Sequence, residues 1–325
     1  MPQWREREIT SENIDEVLCF CSKYEEKCIN LVQHLREEAK NLKGRFSLLY
    51  LAKRKIPLAK VFYLNEKIDA VACINRHQFL LYCIDNDLAE EHVLELCHLM
   101  TKAFPISKIY ALMGEEEVQT KLKELLLTKN KIKPTYVMHY ILMIFDPMTL
   151  DYVFSAQYGE RAVFAKQKIT NKGHTSNSNA INHILTRQAT LADTSLLLPL
   201  QSEYEKEEVC IKGNPFPPYV SMMNLQKILN NEIAYITLLD KNPIAKANTN
   251  AKGINWVQLG GVYTLAKYRR CGIGQLTVAS LMEHIFKREK KKIALFVNIE
   301  NTAAIAMYKN LNFVDAGRLM ISYFR

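Results

Sequence analysis

Arg269, Arg270, Cys271, Gly272, Ile273 and Gly274 place two cations and two glycines between a β-prone run at 256–264 and an amphipathic stretch that begins near Gln275. That order suits a pyrophosphate. Glycine lets the backbone come close to a ligand and take positive φ, and a helix that starts there offers unpaired N–H groups and a positive dipole end. A Gly-x-Gly pair by itself usually marks a turn. Here the strand before it, the basic pair beside it and the helix after it make an anion cradle the stronger reading.

The elements that must position this loop can be read outward from it. The stretch 274–290 has Val278, Leu281, Met282 and Ile285 on one face at helical spacing, so those side chains belong to a core. Upstream, 184–189 reads as a strand, with Thr190 or Asp193 capping a helix that runs to Glu208. A Pro-rich loop at 213–218 and a helix at 224–230 follow. The stretches 232–239 and 243–251 form a hairpin about Asp240, Lys241 and Asn242, and 256–264 is the next strand of the meander. Gly260 and Gly261 inside that strand indicate a bulge or a close backbone approach. Downstream come a short apolar strand at 293–297, a helix opened by Asn301 and a last strand at 318–324 that finishes a mixed sheet.

The segment Arg269 to Gly274 resembles the acyl-CoA-binding signature of the GNAT acetyltransferase superfamily, Arg/Gln-x-x-Gly-x-Gly/Ala. The resemblance continues through Asn301, Ala304, Tyr308 and Phe313, which look like the family's second half, with Asn312 where the family usually has Gly. It covers about residues 182–325. What it implies is acetyl-CoA as acyl donor. The pantetheine arm would lie along Val262, Tyr263 and Thr264, on a strand that a bulge splays from its neighbour. The pyrophosphate would take N–H groups from Arg270, Cys271, Gly272, Ile273, Gly274 and Gln275, aided by the charge of Arg269 and Arg270. Asn301 would cap its helix and contact the cofactor beside Ala304, and Tyr308 would protonate the departing thiolate. No metal is implied.

The resemblance implies N-acetyl transfer to a primary amine of a small molecule or peptide, by direct attack in a ternary complex. A CoA-binding regulatory module without turnover is the alternative; only the enzyme needs Tyr308. Against these stand plainer readings: ordinary sheet residues at 262–264, a surface turn at 269–275, a core tyrosine at Tyr308. The base is not evident. The family often places Glu on the third strand of the meander, where this chain has Gln258. Glu207 and Glu208 could act through water, and Asn248 and Asn250 could orient a substrate but not deprotonate it.

The N-terminal half repeats the order of elements. Strands at 59–64, 70–75 and 78–84, a helix at 88–103, a strand at 109–113, a helix at 115–126 and a strand at 136–145 mirror the second half at low residue identity. Where the second half has its glycine loop, the first has Asp85, Asp87, Glu90 and Glu91 and no glycine, a charge pattern that repels a pyrophosphate. The expected fold class is therefore α/β with a mixed sheet: two GNAT-like domains in tandem, each a mostly antiparallel twisted sheet flanked by helices. A degenerate copy occupies 1–150, a linker 151–181, and the acyl-CoA-binding copy 182–325. The linker is rich in Lys, Asn, Ser and Thr, and His174 in it reads as a loop residue.

Composition bounds the rest. A chain of 325 residues with 48% hydrophobic and 24% charged residues is ordinary for a globular protein and long enough for two cores. No apolar run is long enough to span a membrane, and the N-terminus lacks a secretory core, so a cytoplasmic location is expected. The eight cysteines show no Cys-x-x-Cys pair or zinc spacing and read as reduced, mostly buried thiols. The net charge of +9 is dispersed; its densest cluster, 287–292, closes a helix, where cations complement the dipole. That dispersal argues against a nucleic-acid partner.

Overall fold

The computed structural model describes residues 3–43, 55–145, 184–210 and 216–324. The linker expected at 151–181 and residues 213–215 of the Pro-rich loop lie outside the described residues. The first half contains β1 (Trp4–Thr10), α1 (Ile14–Ser22), α2 (Glu25–Lys43), β2 (Lys55–Leu64), β3 (Lys67–Ile74), β4 (Phe79–Ile84), α3 (Glu90–Ala103), β5 (Ala111–Glu115), α4 (Glu116–Asn130) and β6 (Tyr136–Phe145). The second repeats that order as β7 (Ile184–Gln188), α5 (Thr194–Tyr204), α6 (Pro218–Asn231), β8 (Ala234–Leu239), β9 (Asn242–Lys252), β10 (Trp256–Thr264), α7 (Ile273–His284), β11 (Lys292–Asn298), α8 (Thr302–Lys309) and β12 (Phe313–Tyr323). Short π turns extend α5 over Glu205–Val209 and α7 over Ile285–Glu289.

The strands form one 12-stranded mixed sheet in the order β1-β2-β3-β4-β5-β12-β6-β11-β10-β9-β8-β7. The two closing strands have changed places. β12, last in the second half, pairs with β5 of the first from Leu319↔Glu115 to Tyr323↔Ala111. β6, last in the first half, pairs with β11 of the second from Ala294↔Ile144 to Asn298↔Tyr140. Between them β6 and β12 pair with each other from Phe313↔Phe145 to Tyr323↔Tyr136. The periodic pattern predicts the strands; their continuity across the halves is a tertiary fact that it does not carry.

The N-terminal half adds a second brace. α2 packs against β9 and β10, with Ile29 buried among Leu142, Ala251, Ala294 and Leu319. Glu25 is fully buried, and its carboxylate accepts the N–H groups of Ile254 and Asn255 in the β9–β10 turn, the latter at 2.9 Å. Gln33 accepts Lys252 N–H at 2.9 Å, and Asn30 donates to Gln258 at 2.7 Å. Such polar anchors fix register because a slip would strand buried groups without partners.

In both copies a parallel pair parts partway along its length. β10 pairs with β11 only over Trp256–Leu259, and β4 pairs with β5 only over Phe79–Leu81. In the first copy the gap is filled. Tyr82, the residue just past the paired stretch, is buried, and its hydroxyl donates to Glu115 O at 3.1 Å. A Cβ at Gly114 would overlap its ring. In the second copy the corresponding positions are Gly260 and Gly261, which fill nothing.

If the exchanged strands hold the halves together, residues 182–325 expressed alone should aggregate or self-associate, because β11 and β12 lose β6 and its buried Leu142, Met143 and Phe145. Co-expression with residues 1–150 should recover a soluble one-to-one complex on size exclusion. Cooperative monomeric unfolding of 182–325 alone would show the exchange to be dispensable.

Candidate active site

The opening between β10 and β11 begins at a bulge. Gly260 faces Asn248 on β9, but the next paired residue is Tyr263, facing Lys246, so β10 carries one residue more than its partner. Gly261 supplies the turn with φ of +55°, and a Cβ there would strike the Asn248 side chain. Glycine is required twice over at this point, for its dihedral and for its lack of volume.

Beyond the strand, Gly272 takes φ of +78° and caps α7, a helix start whose first N–H groups have no partner within the helix. Cys271 and Ile273 are buried in a small core with Ile244 and Tyr268, so only their backbone is available to a ligand. Gly274 lies between β10 and α8: a Cβ would come within 3.1 Å of Thr264 Oγ1 and 3.3 Å of Met307 Sδ. Gln275 Nε2 is 3.5 Å from Asn310 O, and Asn301 caps α8 by accepting Ala304 N–H at 3.0 Å.

The two arginines divide. Arg270 is exposed, with φ of +61°. Arg269 instead turns back on the protein: its Nε donates to Thr264 O at 3.0 Å and its Nη2 to Glu207 at 2.7 Å. Glu207 also accepts the Tyr263 hydroxyl at 2.8 Å. Arg269 and that hydroxyl hold the Glu207 carboxyl below its ordinary range against the cost of desolvation, so it is a weak and occupied base. Desolvation and Glu207 push the neighbouring Glu208 upward. Gln258, where a strand base would stand, is buried and spends its carbonyl on Asn30 of the other half.

Tyr308 is buried on α8, its ring set edge-on to Phe313 at 5.7 Å. Desolvation raises its pKa, with smaller contributions from Tyr204 and Glu208. Tyr204, pushed up to about 12 mainly by desolvation, lies 6.1 Å from the Tyr263 ring.

A cavity of about 940 Å³ lies between the halves. Tyr204, Glu205, Gln201 and Asn250 line it from the second half, and Asn30, His34 and Arg76 line it from the first. Glu205 is buried and accepts from Gln201 and Asn224 at 2.9 Å each and from Ser221. Gln201 is 1% exposed, and its Oε1 is a buried oxygen with no hydrogen-bond partner. A buried acceptor left without a partner costs stability unless some donor reaches it. Neither Gln201 nor the contribution of α2 could be read from sequence, because each depends on how the halves meet.

Residues 249–319 match the family model described as FR47-like protein, a span that runs from within β9 into β12 and holds the whole loop and Tyr308. No curated protein matches the chain. Among solved structures, a Drosophila protein superposes with a TM-score of 0.63 at 14% identity, covering 98% of each chain. A GNAT-family acetyltransferase from Colwellia psychrerythraea gives 0.52 at 12%, over 99% of this chain and 100% of that one. A GCN5-related N-acetyltransferase from Sphaerobacter thermophilus gives 0.53 at 11%, over 99% and 96%.

The fold is that of the GNAT acetyltransferases. Within that fold, the expected bulge and helix cap of the second copy are in place, and Tyr308 is buried on α8. In the first copy, Asp85 sits where the second has its loop. Burial works against its charge, but Lys67 at 2.7 Å and the N–H of Asp87 at 3.0 Å hold its carboxyl below the ordinary range. The loop there is filled by its own carboxylate.

Titration calorimetry should therefore find one CoA per chain. Gly274→Val should weaken binding at least tenfold while circular dichroism stays native, since the side chain enters the narrow space between Thr264 and Met307. Two equivalent sites, or unchanged affinity in the folded variant, would contradict the assignment of the loop.

Proposed function

We propose that the second copy is an acyl-CoA-dependent N-acetyltransferase that receives its amine from the cavity between the halves. The observation that carries this reading is the parting of β10 from β11 past Leu259, with a bulge at Gly261 and the Gly272-capped start of α7 just beyond it. The residues fit acetyl-CoA: the loop offers backbone N–H groups beside Arg270, and β10 leaves β11 where an extended arm could lie along Val262 to Thr264. Bound acetyl-CoA would supply the thioester carbon that the amine attacks.

The chain's own residues have separate tasks. The start of α7 opposes negative charge with its N–H groups and dipole. Tyr308 keeps its proton at neutral pH because burial raises its pKa, and so can donate to the sulfur as the C–S bond breaks. Gln201 and Asn250 line the cavity through which the amine would approach. Tyr82 and Asp85 leave the first copy a supporting role: it builds one wall of the cavity and closes the sheet.

Purified protein with acetyl-CoA, screened by thiol release against amines, amino acids and peptides, should give turnover with at least one acceptor class. Tyr308→Phe should then lower kcat about tenfold or more with little change in acetyl-CoA affinity, because the lost bond matures only in the transition state. Wild-type turnover by the Phe variant would make Tyr308 a packing residue. Tight CoA binding with no turnover of any acceptor would favour a regulatory module.

A further inference from the structure

One amine lies buried at the junction of the cleft and the cavity. Lys246, on β9, is 4% exposed. Its Nζ donates to Gly261 O at 2.9 Å and to Asn248 Oδ1 at 3.2 Å. It also lies 4.3 Å from the centroid of the Tyr204 ring. Among the described residues it makes no ion pair.

The chemistry of those contacts favours an uncharged amine. A neutral amine has two N–H donors and one lone pair. The two oxygens take the donors, and the lone pair is left over. Both oxygens are neutral, so neither repays the cost of burying an ammonium as a carboxylate would. The titratable groups around it are Tyr204 from α5, Glu205 from the π turn and Tyr263, its register partner on β10; β8 presents Ile236. Glu205 draws the pKa upward, yet its oxygens are committed to Gln201, Ser221 and Asn224. Burial dominates and pushes Lys246 down to about 7.

Position matters as much as charge. Gly261 is the bulge residue at which β10 leaves β11. Tyr204 and Asn250 line the acceptor cavity, and Asn250 accepts from Asn248 at 3.1 Å. Lys246 thus stands between the cavity and the opening, with neighbours in both. Of the other candidates, Glu207 is tied to Arg269, and β10 carries the amide Gln258 in place of an acid.

We propose that Lys246 is the base of the reaction, taking the proton that the incoming ammonium must lose before its nitrogen can attack. This rests on the acyl-transfer reading above. The proton moves from R–NH3+ to the Lys246 lone pair, directly or through one water, and the amine nitrogen then forms its bond to the thioester carbon as the C–S bond breaks. The departing sulfur takes its proton from Tyr308. The nitrogen sheds a second proton as the amide forms, and that proton restores the phenol. Lys246 returns its own proton to solvent between turnovers. While protonated, it is held by the Gly261 and Asn248 oxygens and the face of Tyr204.

Two measurements test this. The first needs no substrate: in protein carrying 13Cε-labelled lysine, one lysine resonance should titrate near pH 7 and be missing from Lys246→Arg. If every lysine titrates above about pH 9, the base is charged in the working range and the proposal fails. The second uses whichever amine the screen finds. Wild-type kcat/KM should be full above pH 7 and fall tenfold per unit below it, because the base works only when neutral. Lys246→Met should lower kcat about a hundredfold with CoA affinity unchanged, and should abolish that limb. Lys246→Arg, which keeps a charge that cannot be shed, should be as slow. A limb that survives in Lys246→Met but vanishes in Glu208→Gln would transfer the role to Glu208. Should no amine be turned over, the acyl-transfer reading falls and this role with it, whereas a lysine titrating near pH 7 would still stand as a property of the fold.

Discussion

The exchange of β6 and β12 is the constraint on which the rest of the molecule depends. Each copy ends in a strand that pairs with the other copy's penultimate strand, so neither sheet is complete alone. The exchange leaves no closing strand as a bare edge, and it buries Leu142, Met143, Phe145, Leu319 and Met320 on the seam. It also sets the site. β6 lies directly beside β11, which borders the opening beside β10, with Tyr140 opposite Asn298. Burial raises the pKa of Tyr140, with smaller contributions from Tyr323, Tyr204, Tyr136 and Glu208, residues of both halves.

That dependence explains why a copy with no phosphate loop is still a full copy. Tyr82 fills the gap between β4 and β5, and Asp85 supplies the negative charge that a cofactor would bring to the loop. The first copy is closed where the second is open. What it contributes is mechanical: α2 anchors the β9–β10 turn through Glu25 and holds Gln258 through Asn30. The strand that must bulge at Gly261 is thereby fixed on both sides of the bulge, by the other half before it and by Arg269 and Glu207 after it. A cleft between splayed strands needs such support, because each unpaired stretch forgoes ladder bonds that would otherwise close it.

The sequence carried the local half of this. Bulge, loop, helix cap and the Asn301 cap all follow from residue types over a few positions: glycine where φ is positive, asparagine where a helix start needs an acceptor. The repeat was legible too, since 3.6- and 2-residue periodicities mark elements regardless of identity. Boundaries drifted where tertiary pairing overrides pattern. β12 begins at Phe313 rather than near 318, because β6 supplies partners for its first residues. α6 begins at Pro218 rather than near 224, with proline at the helix start where its missing N–H costs nothing. The exchange of strands, the plug at Tyr82 and the bare oxygen of Gln201 have no local signature at all. Each comes from residues far apart in the chain.

Lys246 shows the same limit within the site. In sequence it is one lysine in an alternating strand, and the period places it no differently from a surface cation. Three neighbours make it unusual, and all are non-local: the bulge that turns Gly261 O toward it, the α5 ring that covers it, and the polar cluster about Glu205 that draws off the nearest carboxylate. A buried cation would ordinarily be paired. Here the nearby acid is spent on Gln201, Ser221 and Asn224, and Arg269 has taken Glu207. The site thus binds Glu205 and Glu207 to other donors and leaves its amine with neutral oxygens. That division keeps a lone pair beside the point where the strands part.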